Sequence, residues 1–252
     1  MQFNLETYHP IDYRLWIVGD EAREGINIQP LLTSTERGLF REAVPFQDQR
    51  GDPGQGEMVT YFAIMQLNYL NGNRDIVVPA AILHDTGWYN CDVDSWKKLV
   101  SSGGDTENEA VRRPHQNRSL MIAGMLFERV KVNIAVFDLN AEIADIVGDH
   151  DTRKLPTTSN GRIMWDADML WRVTHPCAQA YFPNVSAQEA LDRMEKTGLA
   201  MSKPHDLSEI AQQIGRVEIT NTMMWRYGKH SIDLLKGKYV GELDKILSFY
   251  SD

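Results

Sequence analysis

Apolar residues recur along most of this chain at the three-or-four spacing of one helix face rather than in alternation. The pattern is clear over 57–69 and again over 76–84, with Asn71-Gly72-Asn73 as the breaker between them. The second stretch, Ile76-Val77-Val78-Pro79-Ala80-Ala81-Ile82-Leu83, is apolar all round, which predicts a buried helix ending at Gly87. Residues 115–130 are amphipathic, with Leu120, Met121, Ala123, Gly124, Leu126 and Phe127 as the apolar face, and 140–150 repeats the pattern through Ile143, Ile146 and Val147. Further helices are predicted over 36–43, 163–173, 187–194, 207–225 and 232–250. Period-two runs of β-branched residues are missing, so the fold class is all-α.

The intervening segments are polar or rich in turn residues. Pro45 to Gly56 carries Gly, Pro, Asp and Gln and predicts a loop, 92–113 an irregular surface excursion, and 154–161 a further loop. Residues 1–30 show no periodicity and are expected to pack on the main body as an extension. No Pro/Gly/Ser-rich linker splits the 252 residues into comparable halves, so a single domain over 1–252 is expected.

Composition narrows the function classes. A formal net charge of −9 argues against a partner such as duplex nucleic acid, which is held through many phosphate contacts, but leaves room for one small phosphorylated ligand. The two cysteines, Cys91 and Cys177, form no paired motif, so neither a disulfide framework nor a thiolate metal site is expected. No apolar stretch reaches bilayer length and the amino terminus has no signal-like pattern; a soluble, cytoplasmic protein without membrane partners is the expectation.

The chemistry sits at the end of the most apolar stretch. His84-Asp85, followed by Thr86-Gly87, offers an imidazole nitrogen and a charged oxygen to one cation. His115, His150 and Asp168 each lie in a helix-like apolar segment of their own, so the set reads as a metal site assembled from several helices. Asp166 is the rival of Asp168, and Asp151 can orient a ligating imidazole. Arg118 lies one helical turn beyond His115 and is the best candidate for a phosphate contact, while Arg112, Arg113, Lys97, Lys98, Arg153 and Lys154 read by default as solvated charge. Trp88, Trp165 and Trp171 read as core.

Pro79-Ala80-Ala81-Ile82-Leu83-His84-Asp85-Thr86-Gly87 resembles the AALLHDIG signature of the HD-domain metal-dependent phosphohydrolase superfamily, and Trp165-Asp166-Ala167-Asp168-Met169-Leu170 resembles its closing segment. The resemblance spans about 54–173, leaving helical extensions at both ends. It implies an HD-like helical bundle in which His84, Asp85 and Asp168 bind one divalent metal, and in which His115 and His150 hold a second, bridged by Asp85. At the place of the superfamily's first histidine stands Gln55, with Glu57 two residues on; either supplies an oxygen where the family supplies an imidazole. The implied activity is hydrolysis of a nucleotide or other small phosphorylated metabolite with one or two ions of Mn, Mg, Ni, Zn or Fe, with Asp85 and Arg118 as catalytic residues. The alternatives are a di-iron oxygenase cleaving a C–C or C–P bond, and a catalytically silent ligand-binding domain.

Overall fold

The most apolar stretch becomes the helix around which its neighbours gather. In the computed structural model, which describes residues 8–15, 26–92, 109–130, 137–152, 155–199 and 207–251, the chain forms two compact units. One is Asn27–Trp165; the other comprises Met1–Ile26 and Asp166–Asp252, the boundary falling inside a helix. Among the described residues there is no β-strand, and no helix is long and apolar enough to cross a membrane.

The first unit holds α1 (Ser34–Ala43), α2 (Gln55–Leu67), α3 (Arg74–Leu83), α4 (Glu109–Val130), α5 (Phe137–Asp149) and the start of α6 (Ser159–Trp171). Helix α1 opens on a capping box: Thr33 Oγ1 accepts from Glu36 N–H and the Glu36 carboxylate accepts from Thr33 N–H. Helix α3 packs against α1, α2, α4 and α5, burying every residue from Ile76 to Leu83 except Pro79. Complete burial is what an all-round apolar helix requires.

Two expectations change here. Helix α4 begins at Glu109, so the last residues of the predicted excursion are helical and Pro114 lies inside the helix, on its exposed side; 93–108 lie outside the described residues. The buried face of α4 is His115, Gln116, Ser119, Ile122, Ala123 and Leu126, and Met121 is 75% exposed. Polar residues dominate the first turns of that face because they meet the end of α3 rather than apolar core.

The second unit holds the end of α6, then α7 (His175–Tyr181), α8 (Ala187–Gly198), α9 (Glu209–Tyr227), α10 (Ile232–Lys236) and α11 (Val240–Phe249). Helix α7 was not expected from periodicity; Thr174 caps it by accepting from Cys177 N–H, and Pro176 sits in its first turn. The helix predicted over 232–250 is two helices, because the chain bends after Lys236 to bury Tyr239, whose ring packs under Arg216 at 4.6 Å.

Glu218 on α9 is fully buried and pins the segment 8–11 of this unit: its Oε1 accepts from Tyr8 Oη at 2.8 Å and Ile11 N at 3.1 Å, and its Oε2 from Asn221 Nδ2 at 3.1 Å. Burial, only partly offset by these donors, pushes the carboxyl up to about 7. A raised native pKa means that the folded unit holds a proton the unfolded chain releases near 4.5. The stabilisation is therefore whole below that value and fades as pH rises towards 7. Glu218→Gln is expected to gain on the parent by about 3 kcal/mol between roughly pH 5 and 8, read by denaturant unfolding of both proteins at each pH. A constant difference would show that the carboxyl titrates normally.

Candidate metal centre

Helix α3 ends at Leu83, and its last carbonyls need partners. Thr86 Oγ1 donates to Leu83 O at 2.8 Å, and Ser119 of α4 donates to His84 O at 2.6 Å while accepting from Gly87 N at 2.8 Å. The corner His84–Gly87 is thus clasped to α4. Gly87 has no alternative: a Cβ there would stand 1.8 Å from His115 O and 2.4 Å from Ser119 N, both backbone atoms. Gly87→Ala is expected to destabilise the protein by roughly 3 kcal/mol or more and to dislodge His115 from Asp85. Thermal unfolding and metal content of the variant measure the two effects.

The rings are held in the tautomer a metal needs. His84 Nδ1 lies 2.8 Å from Ala81 O and His150 Nδ1 2.9 Å from Val147 O. A carbonyl can only accept, so each Nδ1 carries a proton, and in the neutral ring each Nε2 presents a lone pair. His150 Nε2 lies 3.2 Å from Asp85 Oδ1, where a protonated ring donates to the carboxylate and a neutral one turns its lone pair to the space between them. His115, 1% exposed, stacks flat on Trp88 at 4.2 Å, and its Nε2 lies 3.2 Å from Asp151 Oδ2 and 3.5 Å from Asp85 Oδ1 without hydrogen-bond geometry to either. Imidazoles and carboxylates crowded about one point call for positive charge among them, supplied by a metal ion or by protons on the rings.

The carboxylates are held ionised. Burial acts to raise Asp85, but the Arg50 guanidinium, His84 and His150 outweigh it and hold the carboxyl well below its ordinary range. Asp151 follows the same logic: burial is overcome by His150, His115 and Arg112, whose Nη1 donates to Asp151 Oδ1. His115 is pulled down by burial, against the opposing pull of Asp151 and Asp85. Gln116 fixes the His150–Asp151 turn: with its amide turned to satisfy both ends, its oxygen accepts from the backbone N–H groups of His150 and Asp151, and its nitrogen donates to Thr152.

Ligand atoms of Asp85, His115, His150 and Asp151 all lie within 4.8 Å of one another. Two imidazoles with two carboxylates suit a borderline first-row divalent ion, so the donor set fits a metal. His84 adjoins the cluster, its Nε2 3.7 Å from Asp85 Oδ2. Gln55 reaches Asp85 as a donor, Nε2 to Oδ2 at 2.8 Å. Glu57 is buried on α2 and is not one of the four. Asp168 is half-buried on α6 in the second unit and is likewise not one of the four, while Asp166 accepts from Ser208 N–H at the start of α9. Arg118 Nη1 donates to Tyr89 O at 2.8 Å and to Cys91 Sγ at 3.1 Å, bracing the turn after Asp85. Arg113 pairs with Asp149, and Lys97, Lys98, Arg153 and Lys154 lie outside the described residues.

Arg50 was missed by the sequence analysis. It stands in the loop 45–56, where Asp48 and Asp52 beside it suggest only local charge balance, and no periodicity shows that the loop folds back onto α3. Gln47 Nε2 makes that closure, donating to Ile82 O at 2.6 Å.

No family model matches the chain, and no curated protein or solved structure shows significant similarity to it.

Proposed function

We propose that the chain is a metal-dependent phosphohydrolase acting on a nucleotide or another small phosphorylated metabolite. The observation that carries this reading is the convergence of His115, His150, Asp85 and Asp151, with imidazole Nε2 atoms facing carboxylate oxygens. A divalent ion bound there supplies positive charge to phosphoryl oxygens and acidifies water. The chain's own residues leave that charge available: Asp85 is already held by Arg50, and Asp151 by Arg112, so an ion is not spent on cancelling bare carboxylates. Ser119 and Gln116 keep the ligand-bearing corners still, which is what positions a reacting group. A shallow, largely apolar depression beside His150 is walled by Ile146, Pro156, Met164 and Trp165, with Thr158 at its side.

The test is metal analysis of protein purified without added metal, followed by phosphate release from a panel of nucleotides and sugar phosphates with manganese present. Bound divalent metal and phosphate release abolished by chelation are expected. Metal-loaded protein that releases phosphate from none of them would overturn the reading, and iron with dioxygen consumption would replace hydrolysis by oxidative cleavage of a C–C or C–P bond.

A further inference from the structure

Asp85 divides its two oxygens between different surroundings. Oδ1 faces His150 Nε2, His115 Nε2 and the Trp88 Nε1 donor at 3.1 Å. Oδ2 accepts from Arg50 Nη2 at 2.7 Å and Gln55 Nε2 at 2.8 Å. The same guanidinium donates through Nε to Asp52 Oδ2 at 2.7 Å. Asp52 is 1% exposed, and its other oxygen has no hydrogen-bond partner. One planar cation therefore bridges two carboxylates, with the Trp88 ring 5.0 Å from its centre.

We propose that Arg50 is a built-in second cation of this centre: it occupies Asp85 Oδ2, leaves only Oδ1 for a metal, and so limits the site to one divalent ion per chain. The inference rests on the reading of Asp85, His115, His150 and Asp151 as a metal site. A carboxylate has two oxygens and bridges two ions most readily by giving one to each. Here one oxygen is spent on two short donors, one of them permanently charged. Asp85 Oδ2 and Asp52 Oδ2 are the two oxygens the guanidinium bridges and would be offered to a second ion if it were gone, with His84 Nε2 3.7 Å from Asp85 Oδ2. Removing Arg50 leaves Asp52 and Asp85 without their shared counter-charge, and a divalent ion relieves that.

Manganese titration with paramagnetic resonance of the purified chain decides it. The parent is expected to bind one Mn(II) per chain with an uncoupled spectrum. Arg50→Ala is expected to bind two, spin-coupled through Asp85, and Arg50→Lys, which keeps the charge, to stay at one. Circular dichroism establishes that each variant is folded. A parent that binds two ions overturns the inference while leaving the metal site standing, and this measurement needs no variant. A folded Arg50→Ala that stays at one ion also overturns it. A parent that binds none removes the metal site itself.

Discussion

His115→Ala and His150→Ala are each expected to abolish metal binding at the centre while the helical fold persists. Both rings belong to the single cluster around Asp85 Oδ1, so losing either removes a direct nitrogen donor from the same ion. Supporting residues around metal sites already cost about 10–100-fold in affinity, and a direct ligand should exceed that. Phosphate release should fall roughly 1,000-fold, because the ion's charge on the phosphoryl oxygens accounts for several kcal/mol of the barrier. Metal content after dialysis and turnover at saturating manganese read the two effects. A His150→Ala protein with the parent's metal content would place the ion elsewhere.

Replacing Asp85 has a second consequence, which distinguishes two substitutions. Asp85→Ala removes the metal-facing oxygen and also strands Arg50 on Asp52, a loss on the order of 3 kcal/mol in the metal-free protein. Asp85→Asn keeps an oxygen that Arg50 and Gln55 can use, so its metal-free stability stays nearer the parent's. Turning that oxygen to the guanidinium points the amide nitrogen at the histidines, and a nitrogen bearing hydrogens cannot ligate. Both variants should therefore lose the metal, with the alanine variant melting lower. Calorimetry in chelator together with metal analysis checks this pair; an asparagine variant that retains the parent's metal content would sink it.

The sequence by itself determined the all-α class, the run of helices from α1 to α6, and the position of His84-Asp85 at the end of the most buried one. These are local properties: a period of 3.6 residues and the caps that stop it are written in neighbouring residues. The same local logic put His115 and His150 in helix-like apolar segments. It failed where partners lie far away along the chain. The period alone put Leu120, Met121, Ala123, Gly124, Leu126 and Phe127 on the apolar face of α4, whereas Met121 is exposed and the end of α3 draws in Gln116 and Ser119. The single helix expected at the C-terminus divides because Tyr239 finds Arg216. Asp151 joins the ligand cluster directly because Gln116 and Arg112, across on α4, hold its turn. Arg50 reaches Asp85 only once Gln47 has fastened an aperiodic loop to α3. Charge balance inside a site is settled by distance in space, and only the tertiary structure brings a loop guanidinium within 2.7 Å of a carboxylate thirty-five residues on.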